Sequence, residues 1–441
     1  MHFLQLPTEL HLEIASHLSR TCRAVLCLVN YSLRDIYVKP LYTQDSHAAS
    51  LWAALHGNNE TLKLAFKHGA VVNGTMAHNH ECRCTLLGLA TLYGHTSTAK
   101  LLLEQGADFE SRNHQGQTPL HIAAQCGYSE LVTLLLLHGA DPNAIDIDGW
   151  SPLWAACFQG HLENVKALLA NGADVELATA KGNSTPLRAA CLKGSLDVVK
   201  LLLAHGANYT TSGYDGSLPF HTAAGQGHAH IVEYFIEEGM VTDLETKDNG
   251  GWTALNLAAC AGSLEVTALL IKHGADVNTV NCHGTSPLLC VARGGDLAVA
   301  KFLAQNGADL TVVDNCGRTA LIEAAEIGNV ELVKMLIEEG AEVSPAKTHE
   351  CSPLFKACSF GDLDVVQVLL DKGADAKERG CLHVACQNGH IDVVKFLLDL
   401  GVSAATVDRY DRSPIDSALS MGRDEIVKLL KDKGYAPTPF P

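Results

Sequence analysis

A pattern of 33 residues recurs along most of this chain, and its period constrains the fold more than any other feature. Each copy, such as Thr118–Asp141, holds two short helical stretches separated by a glycine. Isolated helices of fewer than about 12–15 residues are marginal in water, so the copies must stack on one another. The glycine that ends each copy lies at Gly69, Gly106, Gly139, Gly172, Gly206, Gly239, Gly274, Gly307, Gly340, Gly373, Gly401 and Gly434.

The start of each copy carries a helix-opening tetrad. Thr118 suits the N-cap because its hydroxyl accepts a hydrogen bond from a free backbone amide, and Pro119 suits the first helical position, where no donor is needed. The tetrad returns as Ser-Pro-Leu-Trp at 151–154, Thr-Pro-Leu-Arg at 185–188 and Ser-Pro-Leu-Leu at 286–289. Together with the Gly-Ala-Asp ending, this pattern resembles the ankyrin repeat.

The resemblance implies an all-α solenoid of about 11–12 helix–turn–helix repeats, with β-hairpin fingers between them. We assign residues 46–441 to this domain. The first repeat, 46–78, is degenerate, and 408–435 form a C-terminal cap, because terminal repeats are commonly atypical. The interval from Gly373 to Gly401 is short, which predicts a truncated finger and either a local change in stacking angle or a local loss of contact.

The first 45 residues lack the repeat and show apolar residues at helical spacing instead. The LPTEL opening, the Leu/Val-rich second helix and the closing Pro-Leu-Tyr at 40–42 resemble an F-box, which implies a three-helix domain at 1–45. In that family the apolar stripe binds the adaptor subunit that bridges to the cullin scaffold of SCF-type ubiquitin ligases. The residues that match this stripe are Leu6, Pro7, Leu10, Ile14 and Leu18. The alternative is that these helices only cap the first repeat.

The composition limits the classes of partner and the cell compartment. The formal net charge is −17, which argues against nucleic acid or an anionic membrane as the main partner, since each needs a positive surface. No apolar run reaches membrane-spanning length and no basic leader opens the chain, so we predict an intracellular, cytoplasmic or nuclear protein. Several of the fifteen cysteines occupy the position of Ala124, which predicts free, structural thiols.

One insertion carries potential metal ligands. His78, His80, Cys82 and Cys84 alternate along the sequence, and in an extended strand they would share one side. Structural zinc sites usually place two to four residues between cysteines. We therefore predict an exposed loop without metal here, with a zinc site as the alternative.

Most of the other histidines have structural explanations in the repeat register, and no motif typical of an enzyme occurs. We therefore predict a protein that is not an enzyme and that needs no cofactor and no metal. In this fold the fingers and the exposed side of the first helices line a concave binding surface. Aromatic and arginine side chains dominate interface hot spots. The candidate contacts on this surface are Trp150, Phe158, Trp252, Arg293 and Phe360.

Each candidate contact has a structural alternative, namely that the two tryptophans cover their own fingers and that Phe158 packs on a neighbouring repeat. With the F-box-like segment, the pattern predicts a substrate receptor that holds an unknown protein on the ankyrin surface and docks on the SCF adaptor and cullin scaffold. The rival hypothesis is an ankyrin scaffold with no role in ubiquitination.

Overall fold

The described part of the chain consists of short helices in pairs, each pair joined by a tight turn. The computed structural model describes residues 46–75, 84–344, 352–378, 380–408 and 411–437. The predicted F-box-like domain, 1–45, lies outside these ranges, and so do its predicted adaptor contacts Leu6, Pro7, Leu10, Ile14 and Leu18.

Two compact units divide the chain between Tyr214 and Asp215. In the first unit, the described residues form five helix pairs. Its helices are α1 (Ser46–His56), α2 (Asn59–Lys67), α3 (Leu86–Leu92), α4 (Thr96–Glu104), α5 (Pro119–Cys126), α6 (Ser129–Leu137), α7 (Pro152–Gln159), α8 (Leu162–Ala170), α9 (Pro186–Lys193) and α10 (Leu196–Ala204).

The described residues of the second unit form seven more pairs, so that the described ranges hold twelve pairs in all. Its helices are α11 (Pro219–Gly225), α12 (Ala229–Glu237), α13 (Ala254–Cys260), α14 (Leu264–Lys272), α15 (Pro287–Gly294), α16 (Leu297–Gln305), α17 (Ala320–Glu326), α18 (Val330–Glu338), α19 (Pro353–Phe360), α20 (Leu363–Asp371), α21 (Cys381–Asn388), α22 (Ile391–Asp399), α23 (Pro414–Ser420) and α24 (Asp424–Asp432). The predicted all-α repeat architecture is confirmed for these ranges.

Helices α7 and α9 show how a first helix begins where the tetrad is present. The Ser151 hydroxyl accepts a hydrogen bond from the Trp154 amide at 3.1 Å, with Pro152 next to the cap. Thr185 caps α9 in the same way. Helix α7 ends at Gly160, whose φ of 80° lies in the left-handed region that glycine adopts without strain.

Small and branched apolar residues make the core between neighbouring pairs. Ala123, Ala124 and Ala156 on the first helices are fully buried, which lets these helices approach closely. Leu131 and Leu135 of α6 are also fully buried, although the helix is too short to be stable by itself. Packing between repeats therefore supplies most of the stability of each pair.

Within the described ranges the fingers contain no β-hairpin strands, contrary to the sequence-based prediction. Within the described ranges the backbone pairs as strand only in an isolated bridge between Thr75 and Thr85. The turn at Asp146 is closed by one backbone hydrogen bond, from the Asp146 amide to the Trp150 carbonyl at 3.0 Å, and by the Asp146 carboxylate, which accepts from the amides of Asp148 and Trp150, both at 2.9 Å. A single backbone bond of this kind does not extend into a ladder, so no strand forms in this finger.

The truncated finger near Gly380 also changes the local structure. Helix α21 begins after Gly380, whose φ is 97°, and no side chain caps it. Its core residues nevertheless remain buried, among them Leu382 and Cys386. The predicted loss of contact is therefore the loss of a helix cap, whereas the packing of the helix is retained.

Candidate functional site

Two sequence positions define one face of each first helix. Positions are counted along the chain from the capping Thr or Ser, which is position one. The fifth residue, such as Ile122, and the eighth, such as Gln125, are three apart and share one side of the helix. Residues at these positions differ between repeats, as expected for a surface with a binding role.

An aromatic cluster of Trp150, Trp154 and Phe158 lies on this face in the first unit. The Trp150 and Trp154 rings stack with centroids 4.5 Å apart, and the Trp154 and Phe158 rings stack at 5.0 Å. The structure thus brings together two of the five candidate residues, Trp150 and Phe158, whose centroids are 6.4 Å apart. Stacked rings of this kind restrict one another and form a rigid apolar surface.

Trp154 holds the aromatic cluster in place. It is buried, and its Nε1 donates a hydrogen bond to the Ser184 hydroxyl at 3.2 Å. Trp150 and Phe158 are half-buried, so each presents part of its ring to solvent. Sequence reasoning missed Trp154, although a tryptophan in the fourth position of the tetrad, where His121 stands in another repeat, was a visible signal.

Further exposed apolar side chains lie on the first unit. Leu192, in the repeat that follows the aromatic cluster, occupies the eighth position, the position of Phe158, and is exposed. Leu92 occupies the same position two repeats before the cluster, with the polar Gln125 in the repeat between them. Ile147, in the finger that precedes the cluster, is 67% exposed. The cluster and Leu192 thus give two neighbouring repeats an apolar residue at this position, a feature typical of binding surfaces.

The corresponding face of the second unit is charged. The Arg293 guanidinium pairs with Asp314 at 2.6 Å and with Glu323 at 2.9 Å, although both carboxylates are almost fully buried. Partial burial lowers the pKa of Arg293. The hydrogen bonds and charges of Glu323 and Asp314 outweigh this effect, so that the pKa is raised. We call the whole set the charge network, and its members are Arg293, Asp314, Arg318, Glu323, Glu326 and Lys356.

The charge network gives Arg293 a role inside the protein. Burying a carboxylate is unfavourable unless an opposite charge accompanies it, and Arg293 supplies this charge for Glu323 and Asp314. Its side chain is nevertheless 41% exposed, so part of the guanidinium edge faces solvent.

Trp252 and Phe360, the other two candidate contacts in the second unit, differ in their exposure to solvent. Trp252 is half-buried, and its ring covers its own turn, because a Cβ atom built on Gly250 would lie 2.8 Å from the ring. This arrangement is the structural alternative that the sequence left open. Phe360 ends α19 and is 55% exposed, so it is available for contact.

The described ranges hold neither a metal-binding cluster nor a membrane-spanning helix. These residues contain no group of three or more His, Cys, Asp or Glu side chains arranged to hold a metal ion. His78, His80 and Cys82 lie outside the described residues, whereas Cys84 is buried. Among the helices described here, none is long and apolar enough to cross a bilayer.

Comparison with protein families identifies the repeat. A model described as "Ankyrin repeats (3 copies)" matches residues 47–146, 136–213, 210–281, 288–380 and 354–439. The chain belongs to the ankyrin repeat family. Ankyrin repeats present extended surfaces that bind other proteins.

Similar ankyrin proteins match over short stretches only. The 26S proteasome non-ATPase regulatory subunit 10 of Dictyostelium discoideum is 36% identical over 62 residues, which are 14% of this chain and 26% of that protein. Protein phosphatase 1 regulatory subunit 12A of Mus musculus is 35% identical over 66 residues, 15% of this chain and 6% of that protein.

Delta-latroinsectotoxin-Lt1a of Latrodectus tredecimguttatus is 43% identical over 58 residues, 13% of this chain and 5% of that protein. The matches thus cover about a quarter or less of each of these three relatives. They show the same kind of repeat in proteins of different function.

Proposed function

We propose that this ankyrin protein binds a partner protein on the first-helix face of its first unit. The observation that carries the proposal is the aromatic cluster, in which the buried Trp154 holds the partly exposed rings of Trp150 and Phe158. Partly exposed rings that are already fixed lose little conformational freedom on binding, and aromatic residues dominate interface hot spots. Phe360 and the exposed edge of Arg293 are proposed contacts on the second unit.

Capture of partners from cell extract by the intact chain tests this surface. The Trp150→Ala, Phe158→Ala double variant keeps Trp154 and removes the exposed rings. The matched control is Leu137→Ala, because Leu137 is 78% exposed in the same unit but lies on a second helix, α6. We expect the double variant to lose proteins that wild type and control both retain, with affinity reduced roughly 30-fold or more. Equal capture by all three chains would refute the proposed surface.

We further propose that the captured protein is a substrate for ubiquitination, which makes the chain an intracellular substrate receptor of an SCF-type ligase. The support is the F-box-like pattern of residues 1–45, and two relatives named as regulatory subunits show that similar repeats occur in accessory chains. On this proposal the chain performs no covalent chemistry. Its effect is proximity, since holding the substrate near a ligase-bound ubiquitin carrier raises the effective concentration.

The adaptor contact is tested separately by co-purification of the SCF adaptor subunit with the full chain. Leu10→Asp, Ile14→Asp places charge in the proposed apolar stripe, and a chain that starts at Ser46 removes the segment. We expect the full chain to retain the adaptor and both altered chains to lose it, while circular dichroism shows that they stay folded.

The rival proposal is an ankyrin scaffold whose first 45 residues only cap the first repeat. Its support is that α1 and α2 form a repeat without the Thr-Pro opening, and an atypical terminal repeat needs a neighbour to cover it. This proposal predicts no adaptor binding by the full chain and unfolding of the first repeats in the chain that starts at Ser46.

A further inference from the structure

Side chains on neighbouring first helices of the second unit meet in a fixed register. The eighth-position residue of one repeat contacts the fifth-position residue of the next, as in the pairing of Arg293 with Glu323 at 2.9 Å. Glu326 and Lys356 repeat this register at 2.9 Å. The same register holds for Cβ positions. A Cβ atom built on Gly225, in the eighth position, would lie 3.5 Å from the Cβ atom of Leu257, in the fifth position of the next repeat.

Two cysteines occupy this register. Cys260 is the eighth-position residue at the end of α13, and Cys290 is the fifth-position residue of the next first helix, α15. Their thiols are hydrogen-bonded to each other. Disulfides need Cβ atoms about 3.5–4.5 Å apart, and the 3.5 Å separation in the same register at Gly225 and Leu257 falls within that range. A bond between the two sulfurs therefore fits the spacing of this register, measured one repeat before the two cysteines.

We propose that Cys260 and Cys290 form a reversible thiol–disulfide site that responds to hydroperoxides, with Cys260 as the attacking thiol and Cys290 as the resolving thiol. This modification site rests on neither the aromatic cluster nor the ubiquitin-ligase role.

The two sulfurs differ in access and in charge. Cys260 is exposed, whereas Cys290 is only 5% exposed. The hydrogen bond donated by the Cys290 thiol lowers the pKa of Cys260, and the nearby Arg293 guanidinium lowers it further against partial burial. The same hydrogen bond and burial raise the pKa of Cys290. Peroxide-sensing thiols are typically accessible, of low pKa and placed beside a resolving cysteine.

The chemistry needs a hydroperoxide as the only oxidant. The Cys260 thiolate attacks one peroxide oxygen, the O–O bond breaks, and the other oxygen leaves as water or an alcohol after taking a proton. The resulting sulfenic acid is then attacked by the Cys290 sulfur. The S–O bond breaks, water leaves with the thiol proton, and the S–S bond forms. The two sulfurs have together lost the two electrons that the peroxide gained, and a dithiol reductant reverses the step.

The chain holds a matched pair that should not react. Cys358 and Cys381 also share a hydrogen bond, but both are fully buried. This pair therefore differs from Cys260 and Cys290 in solvent access, and not in the presence of a hydrogen bond between its thiols.

Peptide mapping of the intact, reduced chain after hydrogen peroxide treatment and alkylation tests the site. Trypsin releases Cys260 in peptide 248–272 and Cys290 in peptide 273–293, which also contains Cys282. A Cys282→Ser chain therefore removes the ambiguity and serves as the control for substitution. We expect the two peptides to be joined in wild type and in Cys282→Ser, separated by dithiothreitol, and unjoined in Cys260→Ser and Cys290→Ser.

Labelling of the Cys290→Ser chain distinguishes the attacking thiol from the resolving thiol. In Cys290→Ser the sulfenic acid on Cys260 has no resolving thiol, so we expect dimedone to label Cys260, whereas wild type gives little label there. The peptides that carry Cys358 and Cys381 should stay reduced and alkylated in every chain. The proposal is overturned if Cys260 stays reduced in wild type, or if it is oxidised without becoming linked to Cys290.

Discussion

His121 shows how one side chain connects two repeats. Its Nε2 lies 3.0 Å from the Trp150 carbonyl oxygen, which can only accept, so Nε2 carries the proton. Nδ1 then accepts from the backbone amide of Thr118 at 3.2 Å. His383 bonds the Thr406 carbonyl of its neighbouring finger in the same way. The predicted structural role of these tetrad histidines agrees with this geometry.

The buried histidines predict a pH dependence of stability. Burial lowers the pKa of His121 and of His383, although nearby groups oppose it. Below about pH 6.5 the unfolded state therefore binds protons that the folded state does not, and the free energy of unfolding falls as the pH falls. His121→Asn is the matched variant, because Asn256 fills this position in another repeat and accepts from the Thr253 amide at 3.2 Å.

Urea unfolding at about pH 7.5 and about pH 5.5 measures this effect. We expect wild type to lose more stability on acidification than His121→Asn. An identical loss in both chains would show that His121 contributes nothing to the pH dependence.

Arg293 yields a second prediction at the scale of the residue. Arg293→Ala leaves the buried carboxylates of Asp314 and Glu323 short of a counter-charge, with Arg318 still 3.2 Å from Glu323. We expect a loss of about 2 kcal/mol or more in the free energy of unfolding, measured by urea denaturation. Lys63→Ala is the control, because its pair with Glu60 is exposed and should contribute less than about 1 kcal/mol. Equal effects would contradict a structural role for Arg293.

The sequence predicted the position of Arg293 but only part of its role. Its register on the first-helix face was readable, whereas its buried partners lie 21 and 30 residues away and become visible only when repeats stack. A signal was present nonetheless. Glu323 stands in the fifth position, which Ile122 and Leu257 fill with apolar side chains, and a buried acid needs a base nearby.

At the scale of the element, helix bounds were predictable and the fingers were not. Caps, prolines and glycines fix the bounds locally, within a few residues. A β-hairpin instead depends on a repeating ladder of backbone bonds. Neighbouring fingers here meet through contacts such as the Ile147 amide and the Gln115 carbonyl at 3.1 Å, while within its own turn the Asp146 carboxylate accepts from two amides.

A comparison of Gly127 with Gly139 distinguishes the cost of backbone strain from the cost of a steric clash at helix ends. Gly127 and Gly139 have φ values of 83° and 92°, so alanine is strained at both by about 1–2 kcal/mol. A Cβ atom at Gly127 would also lie 2.8 Å from the His161 ring, whereas nothing lies within 4 Å at Gly139. We therefore expect Gly127→Ala to lower the urea midpoint more than Gly139→Ala. A larger effect at Gly139 would contradict the proposed His161 contact.

At the scale of the whole molecule, the period, the tetrad and the Gly-Ala-Asp ending predicted the ankyrin family. This prediction was possible because each repeat needs only its neighbours to fold. The bound partner was not predictable. The aromatic cluster depends on Trp154, and the importance of this side chain follows only from its stacking with Trp150 and Phe158. The predicted adaptor contacts lie outside the described residues and remain a prediction.

Ubiquitination of a captured protein in cells tests the central proposal most directly, because it requires both the partner surface and the adaptor contact. The chains to compare are wild type, Trp150→Ala, Phe158→Ala and Leu10→Asp, Ile14→Asp, with Leu137→Ala as control. We expect a protein that wild type captures and that is ubiquitinated. The first double variant should lose its capture, and the second should keep capture but lose ubiquitination. Unchanged ubiquitination with Leu10→Asp, Ile14→Asp would contradict the substrate-receptor proposal and favour the scaffold.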